Sequence, residues 1–298
     1  EGEKCRYILN EIDFPNPMPI DDGKFEVNLD FTVEDIFNIE SKLNEYDALY
    51  QSWIYWKDPR LESLLQKLDF FDEQRFYLCS FSVDEVWGYG QKLWDPTIEI
   101  YNKKIFNNQK SYADWIEIFS DGTIQVRLRE AATFISNFNF KKFPFDSQIF
   151  NFHFTSEYPI KYSELKYDKL TLKKHIQNII TSNAEGKFSG WKVNEMIACE
   201  YAESSWDGYD YAGVSFQIIA ERETFYYIFK IIIPIFIILI TSWTTFWLKP
   251  NQIESRITIT IVAFLTLIAY NFVIDNELPK LNYLSYIPHQ YLDHHPIN

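Results

Sequence analysis

Basic clusters are missing from this sequence: 28 lysines and arginines are scattered among 42 aspartates and glutamates, for a net charge of -14 over 298 residues. Without a Lys/Arg stripe there is no electrostatic footprint for nucleic acid. The acidity fits either a solvated surface or a vestibule that concentrates cations. Also absent are the HExxH, GxSxG and paired Cys/His spacings of common hydrolases and zinc sites, and Gly88-Tyr89-Gly90 lacks the rest of a phosphate loop. The expectation is therefore no enzyme, no cofactor and no metal. The three cysteines, Cys5, Cys79 and Cys199, are odd in number and lack close spacing, so they predict no disulfide framework. No N-x-S/T sequon occurs, which favours a bacterial source. The opening EGEKC lacks the basic stretch and apolar core of a signal peptide. If this half lies outside the membrane, a leader has been removed.

What the sequence does have is two long uncharged runs near its end. From Ile231 to Leu248 the chain reads IIIPIFIILITSWTTFWL, a first membrane span with Lys230 at its outer end and Pro234 inside it. Pro234 is tolerable where a neighbour satisfies the carbonyl it frees. A second run, Ile257 to Ile274, is broken by Thr258, Thr260, Thr266, Tyr270 and Asn271, polar groups that mark a face turned to protein or water. At 3.6 residues per turn it carries one stripe: Glu254, Thr258, Val262 with Ile261 beside it, Leu265, Ala269, Phe272 and Asn276. Copies of that stripe around an axis would stack an acidic ring, a hydroxyl ring and an apolar constriction, the parts of a cation pore that shuts by dewetting. A plain span with Glu254 as its interfacial anchor fits the same residues. The short link holds Lys249 and Arg256 beside Glu254, and the positive-inside rule makes it cytoplasmic. The residues before the first span are then outside.

Those earlier residues read as strands. Phe25, Val27, Leu29 and Phe31 alternate with polar residues; Ala48–Trp56, IFNFHF, WKVNEMIACEY and GVSFQIIAERE follow. Asp121-Gly122 between WIEIFS and TIQVRLR is a hairpin signal. Only Leu61–Leu68 looks helical, and Glu1–Ile20, broken by prolines, reads as an irregular lead-in. The fold class is mainly β: an extracellular immunoglobulin-like sandwich, residues 1–224, followed by transmembrane α-helices, residues 225–298. Asp293 with His294-His295 reads as a polar tail rather than a metal site, and Asp207-Gly208-Tyr209-Asp210 as a loop tip rather than a calcium loop.

The order of motifs is specific. Trp56-Lys57-Asp58-Pro59-Arg60-Leu61, Trp94-Asp95-Pro96 with Tyr101-Asn102, Phe143-Pro144-Phe145-Asp146, Arg222, Ser242-Trp243 and Leu278-Pro279-Lys280 follow one another from strand to span. In that order the chain resembles the pentameric ligand-gated ion channels, the Cys-loop receptor superfamily. The metazoan members' signature disulfide positions read here as Ser136 and Phe150, which places the resemblance with bacterial members, and Thr97 replaces the family's usual Asp. The family has four spans; with two visible here, the expectation is a piece of a longer subunit.

The resemblance implies a homo-oligomer, a pentamer, in a bacterial inner membrane, with its N-terminal part extracytoplasmic and passing monovalent cations. It implies that Glu254 and Thr258 line the selectivity filter and that Val262, Leu265, Ala269 and Phe272 form the gate. Asp146 and Arg222 would pair at the junction of sandwich and membrane, where Glu40, Ser41 and Lys42 meet Leu278, Pro279 and Lys280. The ligand site would lie between subunits. Tyr101, Phe154, Glu157, Tyr158, Tyr201, Trp206, Tyr209 and Tyr211 come from one side and Gln51 from the next. An amine held on aromatic faces and protons acting on acidic groups or His153 are the rival agonists. The position of an expected aromatic aligns near Glu157. The alternative function is a membrane-tethered binding module or a non-conducting truncated subunit.

Overall fold

The computed structural model describes residues 2–16, 23–40, 43–69, 78–88, 93–104, 110–184, 188, 190–205 and 207–277. Helix α1 (Gly2–Glu11) precedes strands β1 (Phe25–Glu40) and β2 (Glu45–Lys57), then helix α2 (Pro59–Lys67). Strands β3 (Cys79–Ser82), β4 (Ile98–Ile100), β5 (Lys110–Ile118), β6 (Thr123–Ile135), β7 (Ser147–Pro159) and β8 (Ser163–Tyr167) follow. Helix α3 (Lys169–Ala184) leads to β9 (Trp191–Ser204) and β10 (Asp210–Arg222). Two sheets form the sandwich, one in the order β3-β5-β6-β2-β1-β8 and one in the order β4-β7-β10-β9. The period-two pattern of β1 is the reason: Phe25, Val27, Leu29, Phe31 and Val33 all turn inward, while the residues between them face out. Phe31 meets Phe152, Phe154 and Phe216 of the facing sheet at ring distances of 4.8, 5.2 and 5.0 Å, so aromatic side chains fill the layer between the sheets.

The Asp121-Gly122 turn joins β5 to β6 as expected. Gly122 has φ 79°, and a Cβ there would meet Glu62 Cβ at 2.7 Å, so this corner needs glycine twice over. The segment Trp56–Leu61 is a helix start. Asp58 is wholly buried and accepts the Arg60 amide at 2.9 Å, Pro59 takes the first helical turn, and the Arg60 guanidinium closes on the same carboxylate at 2.7 Å.

Three sequence expectations are corrected. The lead-in is not irregular throughout: Gly2–Glu11 is helical, with Ile8 and Ile12 buried at i, i+4 spacing. Leu61–Leu68 is not the one helix of this half, because α3 covers β1 and β9 between the last strands. Asp168 caps α3, accepting from the Leu170 and Thr171 amides at 3.1 and 3.0 Å. The cysteines also pair: Cys5 of α1 is bonded to Cys79 of β3, 74 residues away, while Cys199 is free and exposed. Sequence spacing was silent because tertiary packing of α1 brings the two sulfurs together.

After Arg222 come α4 (Phe225–Tyr227), a π turn (Ile228–Ile232), α5 (Ile233–Trp243), a 3₁₀ turn (Thr244–Trp247) and the long helix α6 (Ile253–Glu277). Two segments, Phe225–Trp247 and Ile253–Phe272, are long and apolar enough to cross a membrane. At the link between them, the Arg256 guanidinium donates to the Leu248 carbonyl, a cation placed where the first span's last carbonyls end.

Candidate functional site

At the base of the sandwich, the loop between β6 and β7 carries the Phe143–Asp146 motif, with a cis Phe143-Pro144 bond. Where a disulfide closes this loop in the metazoan relatives of the resemblance, Ser136 Oγ donates to the Ile149 carbonyl at 2.8 Å. Phe150 packs against Tyr46 at 5.0 Å and Trp191 at 5.4 Å. Gln148 adds a two-way bridge, with its amide bonded to the Asn139 N–H and C=O at 2.9 Å each. Hydrogen bonds and ring packing close the loop without sulfur.

Asp146 and Arg222, 76 residues apart, are brought together. Arg222 Nε and a terminal nitrogen donate to the two carboxylate oxygens at 2.8 and 3.0 Å, and the Arg222 amide donates to the Asp146 carbonyl at 3.1 Å. Gln148 also donates to the carboxylate. The guanidinium lies over Trp191 at 4.2 Å, Phe143 at 5.0 Å and Tyr227 at 5.4 Å, and its free nitrogen donates to the Tyr227 hydroxyl at 3.1 Å. A charge this deeply buried is tolerable because every face has a partner. Glu40 ends β1 in register with Glu45, exposed at the hairpin's tip. Ser41, Lys42 and Leu278 through Lys280 lie outside the described residues, as do Trp206 and the Asp293–His295 tail.

On the outer face of the four-stranded sheet, Tyr101 is 71% exposed, with its amide bonded to the His153 carbonyl at 2.8 Å. Tyr201 does not stand free as a ligand aromatic would. Its ring crosses Gly213 of β10, where an added Cβ would come within 2.3 Å, and its hydroxyl pairs with Thr155 Oγ1 at 2.7 Å on β7. His153 meets that ring edge-on at 5.9 Å, and burial pushes its imidazole toward the neutral form, with Glu203 opposing. Phe154 faces the core at 1% exposure, so it packs the sandwich rather than its surface. Tyr158 accepts from Trp94 Nε1 at 2.9 Å and stacks edge-on against Phe25 at 5.3 Å. Tyr211 donates to Asp207 at 2.6 Å, which with the Tyr209 amide commits that carboxylate to the turn; Tyr209 itself is 54% exposed.

Sequence reasoning named Glu157 but not the two acidic neighbours that act on it, Glu99 and Asp95. Glu157 is exposed, yet its carboxyl is held above the ordinary range, first by desolvation and then by Glu99, which also shares a hydrogen bond, and by Asp95. Burial raises Asp95 as well. On the six-stranded sheet, Gln51 donates to Glu34, and Arg129 takes both oxygens of Glu34 at 2.7 Å. The cross-strand register puts Gln51 opposite Arg129, a pairing readable from the hairpin once β2 and β6 are known to be neighbours. Among the described residues, no group of three or more His, Cys, Asp or Glu could hold a metal ion.

In α6, Glu254, Thr258, Val262, Leu265, Ala269 and Phe272 are all exposed. The side chains that are covered are Arg256, Ile259, Ala263, Tyr270 and Ile274. At 3.6 residues per turn these two sets lie on opposite sides of the helix. The Thr258 hydroxyl donates to the Glu254 carbonyl at 2.8 Å. Tyr270 reaches across to the first span and donates to the Lys230 carbonyl.

The β-sandwich thus runs, past a buried ion pair, into two helices each long and apolar enough to cross a membrane. Residues 13–224 match the neurotransmitter-gated ion-channel ligand binding domain family, and the chain belongs to it. A proton-gated ion channel from Gloeobacter violaceus is 24% identical over 271 residues, 91% of this chain and 69% of that protein. A glutamate-gated chloride channel from Drosophila melanogaster is 24% identical over 270 residues, 89% of this chain and 55% of that protein. A pH-sensitive chloride channel 2 from Anopheles gambiae is 30% identical over 204 residues, 65% of this chain and 32% of that protein. The chain thus spans only part of the length of these relatives, which are ion channels, not enzymes.

Proposed function

We propose that the chain belongs to a homopentameric, cation-selective channel of a bacterial cell membrane, opened by protons or a small amine. Residues 1–224 would be the extracytoplasmic sensing sandwich and residues 225–298 part of the membrane domain. The two-sided second span carries this reading. One side meets the first span, and the opposite side presents Glu254, Thr258, Val262, Leu265, Ala269 and Phe272 in the order that a filter and a dewetting gate require. Five Glu254 carboxylates around an axis would draw cations and repel anions. Because the relatives include a chloride channel, the sign of the current rests on Glu254 rather than on kinship. The Cys5–Cys79 bond supports an oxidising compartment for the sandwich, and Lys249 with Arg256 supports a cytoplasmic link.

Between the agonists, protons are favoured by Glu157, whose raised carboxyl shares a hydrogen bond with Glu99, and by Tyr201, which is committed to Thr155. Tyr101 and Tyr209 remain as exposed rings for an amine. The test is ion-substitution recording on Glu254→Lys. Weakened or reversed cation preference supports the reading, and an unchanged reversal potential rejects it. Agonist binding with no conductance in the unaltered subunit would instead favour a tethered binding module.

A further inference from the structure

We infer that this chain binds a second copy of itself through charge: the lysine stripe on the outer side of α3 docks on the neighbour's acidic cluster at Glu99 and Glu157. The inference deepens the oligomer reading above and rests on it. The chain is strongly acidic, with 28 lysines and arginines against 42 aspartates and glutamates, yet α3 is basic on one side. Leu172, Ile176 and Ile179 pack into the sandwich. His175 stacks on Trp53 of β2 at 5.8 Å, with Nε2 2.8 Å from Asp30 Oδ1 of β1. Those contacts fix the helix, and leave Lys169, Leu170, Lys173 and Lys174 exposed on the other side. Lys166, just before the helix, is paired with Glu26 and Glu164. Lys169 stands in the first turn, where the macrodipole disfavours a cation, so helix stability does not account for it.

The acidic cluster lies at the far edge of the sandwich. The four-stranded sheet runs β4-β7-β10-β9; α3 packs on β9 and β1, whereas Glu99 is on β4. Glu99 is in register with Thr155 of β7, and Glu157, two residues on, shares that face. Both carboxylates are exposed and share a hydrogen bond, with Asp95 close enough to act on Glu157. Three acidic groups this close attract cations from outside. Each patch also holds one large apolar side chain open to solvent, Leu170 at 69% exposure beside the lysines and Tyr101 at 71% beside Glu99. An apolar contact ringed by complementary charge is the ordinary make-up of a protein interface. Joining like patches would set lysine against lysine or acid against acid, which is costly. Joining unlike patches from opposite edges gives a head-to-tail contact, the kind that closes into a ring. The Glu157 cluster is then completed by a neighbour's Lys173 and Lys174, and two copies build it.

The test is charge reversal in the full-length subunit, read as association by light scattering in detergent at low salt. Lys173→Glu with Lys174→Glu should weaken association by about 10-fold, and so should Glu99→Lys with Glu157→Lys, because like charges then face each other. All four reversals together should return it to within about 2-fold of the wild type, and both losses should shrink in high salt. Losses that simply multiply in the combined variant overturn the inference. So does association indifferent to every reversal, which would leave the stripe to some other acidic partner. Cross-linking gives a second readout that needs no reversed charge. In a Cys199→Ser background, Lys173→Cys chains co-expressed with differently tagged Glu157→Cys chains should be joined by a short bis-maleimide. Assembled copies that are never joined, with Lys169, Lys174 and Glu99 tried in the same way, overturn the contact even where current flows. Joined chains that pass no current support the contact and sink the channel reading instead.

Discussion

Arg222 holds both oxygens of the Asp146 carboxylate, at 2.8 and 3.0 Å, with the two side chains only 6% and 2% exposed. The last strand of the sandwich is thereby fastened to the β6–β7 loop one turn before the first span begins.

Removing one partner leaves the other charged and buried. Arg222→Ala or Asp146→Ala should therefore destabilise the sandwich by about 3–5 kcal/mol, seen as a large drop in the thermal midpoint. Arg222→Lys should recover part of it, because a lysine keeps the charge but cannot match both oxygens. A thermal midpoint unmoved by all three would mean the pair is dispensable.

Gly213 should not tolerate a side chain. The Tyr201 ring lies where a Cβ would stand, 2.3 Å from the nearest ring carbon. Gly213→Ala should displace the ring, break its bond to Thr155 and lower stability by about 1–3 kcal/mol, and Gly213→Ala with Tyr201→Ala should do less harm than the two changes summed. Strict additivity would contradict the close approach.

The Cys5–Cys79 bond closes a separation of 74 residues. Cys5→Ser should cost about 2–4 kcal/mol of unfolding free energy, through the freed unfolded chain, and should expose α1 to protease first. Thiol titration of the unfolded, unreduced protein should find one free thiol, that of Cys199; three would rule out the bond.

We expect Glu157 to contribute to the pH response. Its carboxyl is raised above 4.5 by desolvation and by Glu99 and Asp95. Relative to the unfolded chain, folding disfavours its charged form. The folded-state cost is therefore present above the raised pKa and is relieved as pH falls through it toward 4.5. Glu157→Gln should abolish that part of the pH dependence and shift the activation curve, read from currents over a pH series without added ligand. An identical curve in Glu157→Gln would move the sensor elsewhere.

The sequence was most legible where chemistry is local. Asp121-Gly122 announced its turn because only glycine fits φ 79° beside Glu62, and the alternation of β1 announced its inner face. Asp146 with Arg222 was legible only through motif order, since nothing in a separation of 76 residues fixes a contact. Phe154 and Tyr158 shared a strand with Glu157 but alternate faces and ring packing sent them inward or against Trp94. The Cys5–Cys79 bond and the Tyr270 donor were hidden for one reason: each depends on a packing partner far along the chain; Asp168, the cap of α3, was a local signal that went unread. The proline signal was half-read: Pro234 marked an irregular stretch of the first span, but not that Tyr270 of α6 donates to the Lys230 carbonyl there.

The central claim is that the Glu254 side of α6 faces water in the conducting assembly. Single cysteines placed at Thr258, Leu265 and Ala263 in a Cys199→Ser background, treated with a charged thiol reagent during activation, test it most directly. The account predicts that Thr258→Cys and Leu265→Cys react and block current while Ala263→Cys, against the first span, does not. Equal reactivity at all three positions, or none at Thr258 and Leu265 under any condition, would contradict it.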